Sequence, residues 1–152
     1  MSRPAELYQW KAQIAKHFPS LSQLLVLGLA LWSLGMVLAR SCSLTAIADW
    51  CSCQLNQARN TVRERLRDTY REAKAKSGKH RRQLDLATCW APWLNWVLEG
   101  WQGTQLAIGM DATSLGNRFV VLTLSVLYRG CAVPIVWRIL VAEEKHAWKP
   151  EW

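Results

Sequence analysis

The stretch that decides the fold is residues 106–141. It reads LAIGMDATS at 106–114, LGN at 115–117, RFVVLTLSVLYRG at 118–130 and CAVPIVWRILV at 131–141. β-branched and aliphatic side chains dominate each run, and each run ends in residues that favour turns, so three consecutive strands are predicted. Leu115, Gly116 and Asn117 suit a hairpin loop, because Gly and Asn tolerate positive φ. Arg129-Gly130 supplies the second tight turn. Pro134 cannot donate to a strand ladder, so the third strand should be an edge or carry a bulge. The expected product is an antiparallel three-strand meander.

Side chains alternate along a strand, so Leu106, Ile108 and Met110 share one face of the first strand. Ala107, Gly109 and Asp111 share the other. A carboxylate is thus expected at the end of an apolar strand, behind two residues with almost no side chain. The space left around it is what a bound metal and a substrate backbone need. The competing reading has Asp111 open a turn with Thr113 and Ser114.

At 152 residues the chain is long enough for one ordinary domain or two small ones. Half its residues are apolar and a fifth are charged, a globular composition, and ten tryptophans must pack somewhere. The net charge of +8 favours an acidic partner, either nucleic acid or an anionic membrane. Residues 59–82 hold ten of the nineteen Lys and Arg against three acids, a local excess of +7. Five cysteines, an odd number with no secretory leader, argue against a disulfide framework. Cys51-Ser52-Cys53 is spaced too closely for a zinc pair and has no second pair, so free thiols are expected.

From the start, Ser2 and Pro4 suit a helix cap and first turn, and Leu7, Trp10, Ile14 and Phe18 form an apolar stripe that ends near His17. Residues 21–39 are mostly apolar and approach the length of a bilayer span. The alternative is a helix buried among other helices, for which Gly28 and Gly35 would allow close packing. Residues 43–71 read as two helices: Ser43 caps the first, Cys51 to Leu55 form the turn, and Asn56 caps the second. Ala58, Val62 and Leu66 mark the buried side of that second helix. Arg59, Arg63 and Arg67 recur every four residues on another stripe, with Arg65 and Arg71 nearby, in the layout of a helix-turn-helix. Internal pairing with Glu64 and Asp68 would instead make it a solvated basic helix. Lys74, Lys76, Lys79, Arg81 and Arg82 form a basic linker able to touch phosphates without reading sequence, with His80 solvated among them. A further helix is expected over 84–98, its Trp90, Trp93 and Trp96 on one packing face. Glu143 and Glu144 are adjacent, point apart, and read as solvated beside Lys145 and His146.

The string MDATSLGNRFVVLTLSVLYRGCAVPIVW resembles the opening of the catalytic domain of DDE-type insertion-sequence transposases. Asp111, Thr113, Tyr128, Arg129, Gly130, Ala132, Pro134 and Trp137 carry the resemblance, and the terminal AWKPEW is similar to the segment next in order in that family. The resemblance implies an RNase H-like fold in which Asp111 is the first catalytic and metal-binding carboxylate. It also implies Mg²⁺ as cofactor and a long apolar helix preceding DNA-binding helices. Three carboxylates converging on two Mg²⁺ ions drive phosphodiester cleavage and strand transfer in such enzymes. No Asp follows Asp111, and the family's glutamate lies on a helix later than Trp152, so the second aspartate and that glutamate are expected to be missing, and the chain looks like the front part of a transposase, inactive alone.

The expected fold class is α+β. Residues 1–100 form a helical DNA-binding region with a helix-turn-helix-like element. Residues 101–152 form the first three strands of an RNase H-like domain. The expected partner is double-stranded DNA at transposon ends, with no membrane and with a homodimer left open. The expected location is bacterial cytosol and nucleoid. The DNA-binding residues expected are Arg59, Arg63, Arg65, Arg67, Arg71, Lys74, Lys76, Lys79, Arg81 and Arg82. The alternatives are a small single-pass membrane protein with a basic cytoplasmic helix, and a stand-alone helix-turn-helix regulator whose strands dimerise.

Overall fold

A computed structural model of the chain describes residues 5–76 and 82–142. Ser2 and Pro4, then Lys79, His80 and Arg81, then Glu143, Glu144, Lys145, His146 and the AWKPEW segment lie outside the described residues. The element order is α1 (Ala5–His17), α2 (Gln23–Ala39), α3 (Leu44–Leu55), α4 (Arg59–Tyr70), α5 (Trp90–Glu99), β1 (Ile108–Leu115), β2 (Phe119–Tyr128) and β3 (Cys131–Val141). The fold class is α+β, with helices followed by a three-stranded antiparallel sheet in the order β1-β2-β3. The chain divides into two compact units, Met1–Pro92 and Trp93–Trp152.

In the helical unit α2 packs against α1, α3 and α4. It is apolar nearly all round, as a helix enclosed by others must be. Leu25, Val26, Ala30 and Leu31 are buried. The Ser22 hydroxyl accepts from the Leu25 N–H and starts the helix. Arg40, left-handed at φ 48°, ends it, and the Ser41 N–H reaches back to the Met36 carbonyl. The caps cut the expected apolar span to 17 residues. At 1.5 Å per residue that is about 26 Å, short of the ~30 Å hydrocarbon core of a bilayer. No single helix among the described residues is long and apolar enough to cross a membrane. The pair α2 and α3 would suffice by length and composition but bends by 99° at the break.

The polar groups on α2 are used. Ser33 Oγ accepts from the Trp10 indole at 2.7 Å and donates to the Leu29 carbonyl, tying α1 to α2. The Trp32 indole donates to the Leu66 carbonyl at 2.8 Å, tying α2 to α4. Leu7, Ile14 and Phe18 of the predicted first stripe are buried, and α1 ends at His17.

Three sequence expectations are corrected here. Residues 51–55 are helical, and the turn between α3 and α4 is Asn56 to Ala58. Asn56 does not cap the second helix. It ends the first in the left-handed conformation at φ 49°, the place a glycine often takes. Nor does a helix run from residue 84. Leu86–Thr88 form a single 3₁₀ turn held by the Asp85 side chain, and α5 starts at Trp90. Pro92 explains the late start: with no N–H to donate, it is tolerated in a first turn but not inside a helix begun at 84.

In the second unit β1 pairs with β2 from Ile108↔Val126 to Leu115↔Phe119. β2 pairs with β3 from Phe119↔Val141 to Tyr128↔Cys131. The register slips between Leu124 and Ser125, opposite Val136 and Pro134, so Pro134 lies at a bulge on an outer strand as expected. Gly116 turns the first hairpin at φ 59°. Arg129 and Gly130 turn the second at φ 49° and 81°. The Trp93 indole donates to the Pro134 carbonyl at 2.7 Å, and Trp93 meets Trp96 edge to face. Trp101 packs against Tyr128 with ring centres 5.6 Å apart and the rings tilted by 43°.

The expected close packing at the α2 glycines has direct measures. A Cβ on Gly28 would sit 2.3 Å from Thr69 Oγ1, and one on Gly35 would sit 2.7 Å from Ile47 Cγ2. Replacing a helical Gly by Ala gains up to ~1 kcal/mol in propensity, whereas overfilling a packed core costs ~1–3 kcal/mol. Gly28→Ala and Gly35→Ala are therefore expected to lower the urea midpoint. Thr69→Ala placed beside Gly28→Ala should restore part of the loss, because it removes the obstructing hydroxyl and methyl.

Candidate nucleic-acid interface and the Asp111 strand

α4 turns Val62, Leu66 and Thr69 inward, and this sets which side chains face out. The outward residues include most of the basic residues singled out in the sequence, and the structure gives nearly all of them partners. Arg59 pairs with Asp49 of α3. Arg67 reaches Glu64 at 2.7 Å, and Arg71 reaches Glu64 at 3.0 Å and Asp68 at 3.4 Å. Lys74 pairs with Glu72 at 2.8 Å. Arg65 donates to the Gln57 amide oxygen at 3.0 Å, and the Lys76 ammonium donates to the Arg82 carbonyl. The internal pairing weighed from the sequence is thus present, through both Glu64 and Asp68.

The Arg67 hydrogen bond, with Arg71 behind it, holds the Glu64 carboxyl below the ordinary glutamate range. These pairs therefore hold at neutral pH and are lost as pH falls through that lowered value. Both partners are exposed, so their contribution to stability is small.

Arg63 differs. It makes no ion pair and no side-chain hydrogen bond among the described residues, and its Nε is buried without a partner. On another flank of α4, a cavity of about 760 Å³ is lined by Leu21, Leu24 and Leu25 at the start of α2, by Arg65, Lys76 and Arg82, and by Glu64 and Asp68.

Asp111 is not at the end of its strand, nor does it open a turn. It stands in the middle of β1, opposite Thr123, because the ladder continues through Thr113 and Ser114 to Leu115. Thr113, two residues on and so on the same face, donates its hydroxyl to the Asp111 carboxylate. Register extends this row to Trp137 of β3. Leu115, Phe119, Ile139 and Val141 share the face and are exposed, so the carboxylate stands on an open, largely apolar sheet surface.

A two-ion Mg²⁺ site needs several converging oxygens. The described residues offer one carboxylate and one hydroxyl at Asp111. No group of three or more His, Cys, Asp or Glu that could hold a metal occurs among them. The donor set on the described residues does not fit the two-ion centre that the resemblance implies.

Cys51 and Cys53 lie two apart on α3, where side chains diverge: Cys51 is buried and Cys53 exposed. Sequence reasoning missed Asp49 and Gln57 as partners of Arg59 and Arg65. The first of these contacts spans ten residues and crosses from α3 to α4, so no local spacing announces it. No family model, no curated protein and no solved structure matches the chain.

Burial pushes the Cys51 thiol up to about 11 from 9.0, and burial also raises Cys89. In native protein at mildly alkaline pH, iodoacetamide should label Cys42, Cys53 and Cys131 quickly, Cys89 slowly and Cys51 only after unfolding. The unfolded chain gives up the Cys51 proton first, so the contribution of this thiol to stability is present below pH 9 and declines as pH rises towards 11. Cys51→Ala should flatten that decline in pH-dependent denaturation.

Proposed function

We propose that this is a DNA-binding protein of the DDE-type insertion-sequence transposase kind, which grips duplex DNA through its helical unit. The observation that carries the reading is the sheet. It is an antiparallel meander whose first strand projects the Asp111-x-Thr113 pair, with Arg129 and Gly130 of the Tyr-Arg-Gly string at the second turn. The resemblance implies such a meander, but with the aspartate at the end of the first strand, whereas Asp111 stands within β1, paired with Thr123. The helical unit supports the binding half of the proposal. Its α3 and α4 are joined by a three-residue turn, and α4 shows a basic outer surface, as a helix-turn-helix would. In this reading Arg59, Arg63, Arg65, Arg67, Arg71, Lys74, Lys76 and Arg82 face DNA, joined by Lys79 and Arg81 outside the described residues. The donors around Asp111 among the described residues do not fit a Mg²⁺ site, so no cleavage step is derived.

A second reading keeps some support. Val37 and Leu38 are exposed at the end of α2, and the bent pair of α2 and α3 has membrane-like composition. It takes the chain as a membrane protein with a basic helix. Flotation with lipid in a density gradient, resistant to carbonate, would establish it and sink the DNA reading.

Filter binding to duplex DNA across a salt series tests the proposal. If roughly five cations engage phosphates, log K should fall with log salt at a slope of about −4 to −5. A slope near zero would rule the proposal out. Glu64→Gln should raise affinity several-fold at low salt, because it frees Arg67 and Arg71 and removes a charge that repels phosphate. Replacing Arg59, Arg63 and Arg67 together should weaken binding more than replacing Lys74, Lys76 and Lys79. In a Mg²⁺ nicking assay on supercoiled DNA, residues 1–152 should bind without cutting, and Asp111→Asn should leave the binding unchanged.

A further inference from the structure

The cations of α4 are not equivalent. A residue that reads a base edge must bring free donors to it in a fixed direction, whereas a phosphate contact needs only positive charge nearby. Arg59, Arg67 and Arg71 each share their charge with a carboxylate. Moving one of them onto a base would leave that carboxylate behind, next to the DNA. Arg65, Lys76 and Arg82 line one cavity together with Glu64 and Asp68, a mixed lining with a small positive excess that aims no donor fork.

Arg63 and Asn60 meet the stricter requirement. Arg63 is half-buried, has no counter-ion among the described residues, and has its Nε enclosed by protein. Its stem is therefore held while its two terminal nitrogens stay open to solvent. An end-on approach to guanine O6 and N7 uses those two nitrogens and does not need Nε. Asn60 is exposed in the first turn of α4, with no side-chain partner among the described residues. It stands three residues before Arg63, so the two share one face. An Asn amide matches adenine N6 and N7.

We propose that Asn60 and Arg63 are the base-reading residues of α4, Asn60 for adenine and Arg63 for guanine, while Arg65, Lys76 and Arg82 hold the sugar–phosphate backbone. This rests on the DNA-binding reading above and assigns the roles within it.

The test is selection from a pool of duplexes with randomised cores, using the full chain, followed by titration of the enriched duplex and of an unrelated one. Wild type should enrich a motif containing A and G positions. Arg63→Lys keeps the charge but loses the fork. It should reduce discrimination at the guanine position by roughly 5- to 150-fold. Asn60→Ala should do the same at the adenine position. Arg65→Ala should lower affinity for both duplexes by one common factor and leave the motif intact. Asn60 is exposed, so circular dichroism and melting of Asn60→Ala should match wild type, and circular dichroism should show Arg63→Lys folded. Wild type that binds DNA but enriches no motif overturns this assignment and spares the DNA-binding reading. So does an enriched motif that survives both Arg63→Lys and Asn60→Ala. Wild type that binds neither duplex overturns both.

Discussion

The close approach of α2 to its neighbours is the constraint on which the helical unit depends. α2 has no polar side to give to solvent along its middle, so α1, α3 and α4 must each cover part of it. Gly28 and Gly35 are seven residues apart and so nearly in line along the helix. One lets α4 in over Thr69, and the other lets α3 in over Ile47 and Cys51. That contact fixes the rotation of α4 about its own axis. With Val62 and Leu66 fully buried, each contributing ~1.5–3 kcal/mol, the helix cannot roll to present another face. The identity of the outward arginines is therefore set by the core.

Formal charge overstates what α4 offers a polyanion. Residues 59–82 carry +7, yet Arg59, Arg67, Arg71 and Lys74 each have an acidic neighbour. Exposed pairs of this kind are worth ~0–1 kcal/mol, so a phosphate can displace the carboxylate at little cost. The displaced acid then lies near the DNA and repels it, a term that the release of counterions must outweigh. Low salt favours that outcome and high salt reverses it. Pairing would therefore weaken DNA binding most at low salt, where the displaced acid is least screened, and so make it less sensitive to ionic strength.

The strands were legible because their signals are local. Val, Ile, Leu and Phe fill β2 and β3, Gly116 and Gly130 take the positive φ that the turns need, and Pro134 falls on an outer strand at the bulge. The position of Asp111 was not legible. Asp-Ala-Thr-Ser has poor strand propensity by itself, but cross-strand pairing with Leu122, Val121 and Val120 carries β1 through it. The α3–α4 turn was misplaced for a related reason. Cys-Ser-Cys resembles a break, yet Cys51 is a buried core residue of α3, and Asn56 supplies the left-handed residue that glycine would have announced. The ion pairs of Glu64 follow i, i+3 and i, i+7 spacing and were anticipated. The pair of Arg59 with Asp49 depends on how two helices cross, which no short window contains.

The two units stand differently towards function. In the proposed reading, backbone binding would draw on the cations of α4 and of the cavity beside it one by one, since phosphate recognition is additive and each cation contributes separately. Metal-dependent cleavage is not additive: one carboxylate on an open sheet face competes with water for a strongly hydrated ion and gains nothing until further oxygens converge on the same point. Thr113 orients the Asp111 carboxylate, but a neutral hydroxyl adds little charge to a cation site. The surroundings do not help either, because the exposed Leu115, Phe119, Trp137, Ile139 and Val141 on that face supply no oxygen ligands. In the proposed reading, binding would need only these residues, whereas cleavage would need ligands from elsewhere.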